Sequence, residues 1–552
     1  MSQHSNEQFD VAIIGAGFEG GLLGTILAAN GAKVLMIESG MHPRFAVGES
    51  TVRHVFRMLK IMGERFNVPE ISEKFSSGQE IHDHVTTACG EKRNFGFIYH
   101  RPGEKQIPKE STQLVIPPFR EGYEAHLYRQ DIDSFLTYSA VGHGATVKYN
   151  TRIAEVDIND KEATISTTSG EEFRARYVVD GSGYRSVLAN KYGVRETPTR
   201  LKHHSRCLFT HMVNITPYDD CVPKGTFKDM KEPWYSGTCH HIFDGGWLWI
   251  IPFNNREGSS NPQCSIGLTL DTRRWPKPTD ITPQQEFDEF LKKFPAMAPQ
   301  FAKAKTTRDW VSTDRLQFSS TQVVGDRWCL SAHASGFIDA LFSRGLANAC
   351  EFTNAAAGLL LKAIKDDDFS KERFEYLERL SQTNIDFNDM MVNCAFIAFR
   401  DFDLWNAWFR VWALGVGLGD LRLTASYRKF KNTHDVAVLP DAEEPMGVFY
   451  AHHHGYKEFF LDVVAKMESV DAGLVGPKEA ARYIFEKIAE ADFHSPANKM
   501  ADPEARCINV GAPITLIKTV AWALTTAPPE IKEYTLGVMA DLIPNRFTAT
   551  AR

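Results

Sequence analysis

The sequence lacks the cysteine pattern of a disulfide framework, the apolar run of a membrane span and the positive charge of a nucleic-acid-binding surface. Its nine cysteines are scattered, odd in number and without a Cys-x-x-Cys spacing, which is typical of reduced thiols. No stretch reaches about 18 uninterrupted apolar residues, and the N-terminus MSQHSNEQFD has neither the basic patch nor the apolar segment of a signal peptide. The net charge is -7, whereas phosphate binding requires concentrated positive charge. We therefore expect a cytoplasmic protein with no membrane span and no nucleic-acid partner.

Internal repeats and low-complexity tracts are also missing, which disfavours a solenoid or a disordered scaffold. What is present is a chain of 552 residues, 43% of them hydrophobic, which is long enough to bury a large core and to divide into roughly two to four domains. The sequence therefore predicts a globular protein of more than one domain.

The N-terminal segment FDVAIIGAGFEGGLLGTILAANGAKVLMIES predicts a strand, a glycine turn, a helix and a second strand. Gly15, Gly17 and Gly20 form Gly-x-Gly-x-x-Gly at the junction, where missing side chains let backbone amides and the helix N-terminus approach a pyrophosphate. Glu38 follows the second strand, where a carboxylate can accept hydrogen bonds from ribose hydroxyls. This pattern predicts dinucleotide binding; the alternative is a glycine-rich turn that only packs a helix on a sheet.

Three later segments favour FAD as the dinucleotide. HPRFAVGES offers Arg44 as a cation and ends in Glu49, a buried acceptor, and Ser50. LYRQDIDSFL puts Arg129 at the start of a predicted helix as a second partner for the diphosphate, and YVVDGSGYRSVLA is a strand that runs into Asp180. This combination resembles the FAD-binding pattern of the flavoprotein hydroxylase superfamily, whose chains interleave an FAD domain with a sheet over the flavin.

Two tryptophans lie two positions apart in GGWLWIIPF, which predicts a strand with both indoles on one face and a proline closing it. A core strand is the simplest explanation of such a pair. Yet Trp247, Trp249 and Pro252 match the Trp-x-Trp-x-Ile-Pro signature of the flavin-dependent halogenases, and with GES and GFIDALFSRG the resemblance covers about the first 350 residues. The resemblance implies that these residues lie beside a tunnel between flavin and substrate, where bulky rings separate the oxidant from its aromatic target.

The resemblance also implies a catalytic lysine that meets hypohalous acid at the end of the tunnel. In phenol-type members it lies in a segment similar to Lys-x-Gly-Ala-x-Phe-x-Trp, and EKRNFGFIYHRPG offers Lys92, with Phe97 and Tyr99 at the matching positions. Apolar and aromatic neighbours would lower the pKa of the Lys92 ammonium and make its amine a better nucleophile. The alternatives are that Lys92 is a solvated lysine in a charged run, and that Lys74 in ISEKFSS takes the role.

The segment expected near the flavin ring departs from the family. Gly325-Asp326 is one match to the family's flavin-contacting Gly-Asp pair. Counting back from the Phe-Ile-Asp of GFIDALFSRG instead places that pair at Ala332-His333, so we expect His333 where relatives have an aspartate. The resemblance puts the halide at backbone amides around Arg344 and Gly345, and such a site tolerates side-chain change because its donors are main chain. The Arg344 guanidinium would either strengthen anion binding or fill the site.

Beyond about residue 350 the sequence predicts long amphipathic helices, which in halogenase relatives can cap the substrate cavity. Trp405, Trp408 and Trp412 share one helical face, an arrangement that is usually core and otherwise a substrate contact. A further alternative is that LWNAWFRVWALGVGLG lies in a lipid interface. The three adjacent histidines His452–His454 cannot all face one ion, so no metal site is predicted.

Together these features predict an α/β fold in which a Rossmann-like FAD-binding domain is interleaved with a β-sheet substrate domain and followed by a mainly helical C-terminal domain. We expect the FAD-binding domain at residues 1–80, 126–200 and 315–370. The sheet domain is expected at 81–125 and 201–314, and the helical domain at 371–552.

The resemblance implies an FADH2-dependent halogenase that acts through hypohalous acid on a small electron-rich aromatic, free or tethered to a carrier protein. It also implies chloride or bromide as the halide and a separate flavin reductase as the source of FADH2. Two alternatives are a flavin monooxygenase or dehydrogenase on the same fold, and a non-catalytic flavin-binding protein that recognises a partner through its helical half.

Overall fold

The computed structural model describes residues 4–118, 122–447 and 452–542. The strands within these ranges are β1 (His4–Ile14), β2 (Val34–Ile37), β3 (Gly90–Lys92), β4 (Asn94–Tyr99), β5 (Ser111–Val115), β6 (Glu124–His126), β7 (Thr146–Lys148), β8 (Ile153–Ile158), β9 (Ala163–Thr167), β10 (Glu172–Asp180), β11 (Ser205–Val213), β12 (Thr238–Phe243), β13 (Gly246–Pro252), β14 (Gln263–Asp271), β15 (Lys305–Thr306), β16 (Val311–Ser312), β17 (Val324–Gly325), β18 (Trp328–Leu330) and β19 (Cys507–Ile508). The α-helices are α1 (Phe18–Ala29), α2 (Arg53–Arg65), α3 (Pro69–Lys74), α4 (Gly78–His84), α5 (Arg129–Gly142), α6 (Val187–Lys191), α7 (Pro283–Lys293), α8 (Ala332–Ser335), α9 (Arg344–Asp366), α10 (Lys371–Ala398), α11 (Phe402–Thr433), α12 (His454–Asp471), α13 (Pro477–Glu490), α14 (Pro513–Thr525) and α15 (Pro529–Leu542).

An eight-stranded sheet is built around the N-terminal strand. Its main path is β17-β18-β10-β1-β2-β7, and the β8–β9 hairpin extends it from β10. The pairs β1–β2, β1–β10, β2–β7 and β10–β18 are parallel. Residues 11–14 of β1 are buried and all apolar, as expected for a parallel strand that is covered on both faces. Because the carboxyl ends of parallel strands meet at one edge, this sheet brings distant loops together at a ligand-binding position.

A nine-stranded, mostly antiparallel sheet forms the second layer. Its path is β15-β11-β14-β13-β12-β4-β5-β19, with β16 also paired to β11. The pairs β4–β12 and β5–β19 are parallel. Strands β3 and β6 form a separate antiparallel ribbon, in which Lys92 lies opposite Glu124.

The C-terminal region is mainly helical, and its long helix α11 packs on the second sheet. The Phe97 ring of β4 lies 4.8 Å from the Trp405 ring and 5.5 Å from the Phe409 ring, measured between centroids. The predicted α/β fold with a mainly helical C-terminal region is therefore confirmed. The domain boundaries stay a prediction, although every strand of the eight-stranded sheet falls within the ranges expected for the FAD-binding domain.

The tryptophan-rich face of α11 lies inside the protein. Trp405, Trp408 and Trp412 are fully buried, so the alternative that places this segment in a lipid interface is wrong. Within the described ranges, no helix is long and apolar enough to cross a membrane.

Candidate functional site

The carboxyl edge of the eight-stranded sheet brings together the predicted cofactor-binding residues. Gly15 follows β1, Glu38 follows β2, and Asp180 ends β10. Gly15 has a φ of +98°, and a Cβ there would come within 2.7 Å of the Gly181 carbonyl oxygen. A Cβ on Gly20 would lie 2.1 Å from the Gly15 carbonyl oxygen. The turn therefore closes only with glycine at these two positions, because any side chain would collide with backbone.

Glu38 lies beside the N-terminus of α1, where Gly17 is the residue before the helix. Its carboxylate accepts hydrogen bonds from the amides of Ala16 and Gly40, each at 2.9 Å, and from Arg44 at 3.0 Å. Burial acts to raise the pKa of Glu38, but Arg44 and the two amides outweigh burial and hold the pKa below its ordinary value. A Cβ on Gly17 would lie 3.3 Å from the Arg44 guanidinium. Arg44 thus adds positive charge at a helix N-terminus, the position at which a diphosphate binds favourably.

Three other predicted cofactor-binding residues make strong contacts inside the protein. Arg129 binds the Asp133 carboxylate through two hydrogen bonds of 2.7 and 2.9 Å. Asp180 is fully buried and caps α6 with its carboxylate. Glu49 pairs with His211 of the second sheet at 2.7 Å. These contacts hold the loops around the predicted FAD site, and direct contact of these residues with FAD stays a prediction.

A cavity of about 190 Å³, here called the tryptophan cavity, lies between the 47–50 loop, β12, β13 and the 333–346 segment. Six of the predicted site residues line it: Glu49, Ser50, Trp247, Trp249, His333 and Gly345. The sequence places these residues in three separate segments, so the fold has brought the predicted tunnel, halide and flavin-ring positions to one cavity.

The two indoles form one wall of the tryptophan cavity. Trp247 and Trp249 lie on the same face of β13, with ring centroids 5.2 Å apart. Gly267 on β14 leaves room for the Trp249 ring, because an added Cβ would come within 2.0 Å of it. Pro252 ends the strand, and its carbonyl accepts a hydrogen bond from Nδ1 of His126 at 2.8 Å. The predicted strand with both indoles on one face is therefore present.

Lys92 is fully buried and connected to the tryptophan cavity. Its amine donates a hydrogen bond to the Ser50 hydroxyl at 2.9 Å and lies 3.3 Å from the centre of the Phe95 ring. Ser50 in turn bonds the Ser343 hydroxyl at 2.9 Å, and both serines line the cavity. The alternative that Lys92 is a solvated surface lysine is wrong, because its relative exposure is 0%.

The electrostatic environment of Lys92 favours a reactive amine. Burial lowers the pKa of Lys92 to about 7, and the opposite charge of Glu124 partly offsets this effect. Glu124 lies directly across the β3–β6 ribbon and is only 2% exposed, and burial raises its pKa to about 7. Sequence reasoning missed Glu124, since nothing in the local pattern marks it and only the strand register puts it opposite Lys92.

A second cavity of about 190 Å³, here called the cap cavity, lies between β4, β5 and the C-terminal helices. Phe95, whose ring contacts the Lys92 amine, lines this cavity together with Glu124. Of the three tryptophans on α11, Trp412 alone lines it, and its ring lies 4.9 Å from the Phe95 ring. Lys92 itself lines neither cavity, but it contacts Ser50 of the tryptophan cavity and Phe95 of the cap cavity.

The predicted flavin-ring and halide segment lies beside the tryptophan cavity. His333 lines this cavity, and desolvation of its ring and then the charge of Arg129 lower its pKa to about 4, so it is neutral near pH 7. Gly345 lines the cavity at the first turn of α9. The Arg344 guanidinium pairs with Glu351 at 3.2 Å, and both side chains are buried. The guanidinium therefore points toward the carboxylate of its own helix.

Two competing assignments lie elsewhere in the fold. Lys74, at the end of α3, places its amine 5.2 Å from the centre of the Phe135 ring, and Phe135 lines neither cavity. Asp326, the other candidate for the family's flavin-contacting aspartate, follows β17, where its carboxylate accepts a hydrogen bond from the Lys371 amide at 2.8 Å.

The sequence matches the tryptophan halogenase family model over residues 104–408. It is 42% identical over 534 residues to the tetracycline 7-halogenase of Kitasatospora aureofaciens, covering 97% of this chain and 96% of that protein. It is also 43% identical over 545 residues to the monodechloroaminopyrrolnitrin halogenase PrnC of Pseudomonas fluorescens, covering 97% and 94% of the two chains.

The structure is similar to the crystal structure of halogenase PltM in complex with phloroglucinol and FAD. The two share a TM-score of 0.86 and 33% sequence identity, with 91% of this chain and 100% of that chain covered. The similarity therefore extends through the helical C-terminal region, well beyond the segments that carry the sequence motifs.

Proposed function

This chain belongs to the flavin-dependent halogenase family, and we propose that Lys92 delivers halogen from hypohalous acid to an electron-rich aromatic ring held in the cap cavity. As a member of this family it is an FADH2-dependent enzyme. When bound, reduced FAD supplies the electrons with which oxygen oxidises chloride or bromide to hypohalous acid. The tasks of the protein are then to hold the cofactor, keep the substrate away from it and conduct the acid to Lys92.

The carboxyl edge of the eight-stranded sheet fits FAD. The glycine turn at the start of α1 has no side chains to block its backbone amides, and with Arg44 beside it the turn can bind a diphosphate. The Glu38 carboxylate can accept hydrogen bonds from ribose hydroxyls. The remaining residues assigned to the cofactor site are Glu49, Ser50, Arg129, Asp180 and His333. Their contacts support a role in shaping the walls of the site.

The first turn of α9 suits the halide. Its amides at Arg344 and Gly345 have no partner within the helix, and such groups attract anions. Glu351 holds the Arg344 guanidinium, which leaves the main-chain donors of the first turn available. This arrangement supports halide binding through the backbone in spite of the unusual arginine.

The observation that carries the proposal is the position of Lys92. Its amine contacts a serine that lines the tryptophan cavity and a phenylalanine that lines the cap cavity. Trp247 and Trp249 form a wall that keeps a ring in the cap cavity away from the flavin, so halogen must pass by way of a small carrier. A monooxygenase that transfers oxygen directly from flavin to substrate would need the two rings in contact.

The partners are proposed from the chemistry of the family. A separate flavin reductase would supply FADH2, and the substrate would be a small aromatic, free or tethered to a carrier protein. The sequence also matches, at 24% identity, a protein named 1H-pyrrole-2-carbonyl-[peptidyl-carrier protein] chlorinase. The nine free thiols support a reducing compartment, and we propose a cytoplasmic location.

The proposal is tested by incubating the protein with FAD, a flavin reductase, NADH, bromide and phenolic probes. Halogenated product that depends on bromide is expected. Hydroxylated product formed equally with and without bromide would instead establish a monooxygenase, and the absence of any product would favour a non-catalytic flavin-binding protein.

The role of Lys92 is tested with the Lys92→Ala variant. Ring halogenation should fall by about a hundredfold or more, because the acceptor of the halogen is removed. Hypohalous acid should still form, and a β-diketone trap in solution would detect it. Lys74→Ala is the matched control and should keep full activity; equal losses in the two variants would contradict the assignment.

A further inference from the structure

The cap cavity has an apolar lining with few charged groups. Its wall includes Phe95, Leu114, Ile116 and Trp412, which suit the faces and edges of an aromatic ring. Among the side chains that line it, the charged ones are Arg53, Glu124 and Asp420, together with the titratable His494. A ligand in this space is therefore recognised by its apolar body and by a small number of polar contacts.

Glu124 is an acceptor that faces this space. Among the described residues, none donates a hydrogen bond to its Oε2 atom, although the atom is buried and the side chain is only 2% exposed. Leaving a buried acceptor unpaired costs about 1–3 kcal/mol, and more for a charged group. A donor supplied by a ligand would recover that cost.

The ribbon register aligns Glu124 with Lys92. Directly opposed residues of an antiparallel pair project to the same face, with Cβ atoms roughly 4.5–5.5 Å apart. A ring whose donor group meets Glu124 would therefore lie next to the amine that carries the halogen.

The other charged groups of the cavity compensate each other. Arg53 donates to the Asp420 carboxylate at 3.1 Å and to the Pro117 carbonyl. Glu124 is attracted by Lys92 and Arg53, and the Arg53 amide donates a hydrogen bond to its carboxylate. Its Oε2 atom has no donor among the described residues, so a ligand group placed against it meets a negatively charged acceptor. A ligand carboxylate would meet that negative charge, and like charges in a buried site are strongly unfavourable.

We infer that Glu124 binds the substrate through an O–H or N–H group, and that the cap cavity selects uncharged aromatic rings carrying such a donor over rings carrying a carboxylate. This inference rests on the proposed function, since it takes the cap cavity as the place where the ring is halogenated. A carboxylate that accepts a hydrogen bond from a ring O–H or N–H also increases the electron density of that ring. Glu124 would thereby orient the substrate and favour attack on the halogen at one position of the ring.

The test compares binding of matched ligand pairs that differ only in the donor. Suitable pairs are phloroglucinol with 1,3,5-trimethoxybenzene, indole with N-methylindole, and aniline with N,N-dimethylaniline, and indole-3-propionate serves as the carboxylate probe. Dissociation constants are measured at pH 8 for the wild-type protein, Glu124→Gln and Glu124→Leu. Glu91→Gln is the matched control, because Glu91 is the neighbouring residue on β3 and pairs with Arg93.

In the wild-type protein we expect the donor ligand of at least one pair to bind about tenfold more tightly or better than its methylated counterpart. This preference should fall below about threefold in Glu124→Leu and be intermediate in Glu124→Gln, while Glu91→Gln keeps the wild-type ratio. The carboxylate probe should bind more tightly to Glu124→Gln than to the wild-type protein. General damage to the fold would weaken the binding of every ligand. Opposite changes in affinity for the donor ligands and for the carboxylate probe therefore identify the role of the Glu124 charge.

A wild-type protein without donor preference in any pair, or a preference unchanged in Glu124→Leu, would overturn the inference. Formation of hypohalous acid by the wild-type protein is measured in parallel with the β-diketone trap. If the trap is halogenated while the donor preference is absent, the inference fails and the proposed function stands. If no oxidised halide forms at all, the proposed function itself fails.

Discussion

At the scale of single residues, Lys92 illustrates how burial decides chemistry. In the sequence it stands within Glu91-Lys92-Arg93, a run that is typical of a solvated surface. In the fold its amine lies on the Phe95 ring and bonds Ser50, with no exposure to solvent. Desolvation disfavours the charged form, so burial lowers the pKa of Lys92 to about 7 and a neutral amine is available near physiological pH.

Ring halogenation should therefore increase as the pH rises through about 7. Below this pH Lys92 is protonated and is a poor nucleophile, while Glu124, whose pKa burial raises to about 7, is protonated and is a weaker acceptor. Since the two groups interact, the observed midpoint belongs to the pair. The measurement is the ratio of ring product to trapped hypohalous acid between pH 5.5 and 8.5, and a ratio that is flat or falls with pH would contradict this role.

The same pH dependence measured in the Glu124→Gln variant tests whether the midpoint depends on the Glu124 charge. The negative charge of Glu124 raises the pKa of Lys92, so its removal should move the midpoint to lower pH. The other titratable groups near Lys92 have little influence on this midpoint between pH 5.5 and 8.5. His126 and His240 stay neutral because burial lowers the pKa of each to about 3, and Arg53 is paired with Asp420.

At the scale of secondary-structure elements, α9 combines the halide-binding role that we propose for its first turn with a buried ion pair further along. Arg344 begins the helix and pairs with Glu351, two turns later on the same face. Burial acts to raise the pKa of Glu351, but Arg344 and then His54 outweigh it and keep the carboxylate ionised. Asn384 of α10 donates a further hydrogen bond to Glu351 at 2.7 Å. The carboxylate thus links α9 to two other helices and controls where the guanidinium lies.

Glu351→Gln should lower the free energy of unfolding by about 3–5 kcal/mol, because it removes the charge that compensates a buried guanidinium. Chemical denaturation followed by circular dichroism measures the change. The control is Glu375→Gln on α10, which removes one partner of an exposed pair with Arg379 and should cost less than about 0.5 kcal/mol. Similar losses of unfolding free energy in both variants would show that the Arg344–Glu351 pair stabilises the protein no more than an exposed ion pair.

At the scale of the whole molecule, the fold brings one lining residue from each of two cavities into contact with one lysine. The tryptophan cavity borders the predicted cofactor site, and the cap cavity is completed by the helical C-terminal region. This separation requires parts of the chain from the first 50 residues to beyond residue 500. The enzyme therefore depends on correct packing of the helical region against the second sheet, and not only on its cofactor-binding half.

Trp249→Ala should open the wall that we propose between the flavin and the substrate. The yield of ring product per FADH2 consumed should fall on the order of tenfold to a hundredfold, because water can enter the site and hypohalous acid can leave it. The yield of trapped hypohalous acid should rise for the same reason. Trp234→Ala is the control, since Trp234 is a buried indole that packs against Gly96 of the second sheet and lines neither cavity. An equal change of product ratio in both variants would indicate general loosening of the fold, which costs about 3–5 kcal/mol for such substitutions.

Local sequence alone determined those features whose physics is contained in a few neighbouring residues. Gly15 and Gly20 predict the tight turn because no side chain fits there, and the alternation around Trp247 and Trp249 predicts one aromatic face because strand side chains alternate. Hydrophobic periodicity predicts the N-terminal strand–helix–strand unit and the long helices beyond about residue 350 in the same way.

Only the tertiary structure decided the features that depend on partners distant in the chain. Strand register puts Glu124 opposite Lys92, and helix packing buries the face of α11 that the sequence left as core, substrate contact or lipid contact. The Arg344 guanidinium is held by Glu351 of the same helix, but the carboxylate of Glu351 is itself held by His54 and Asn384 from two other helices. Burial and charge compensation are properties of the folded surroundings, so the pKa of a lysine and the lining of a cavity cannot be obtained from its neighbours in sequence.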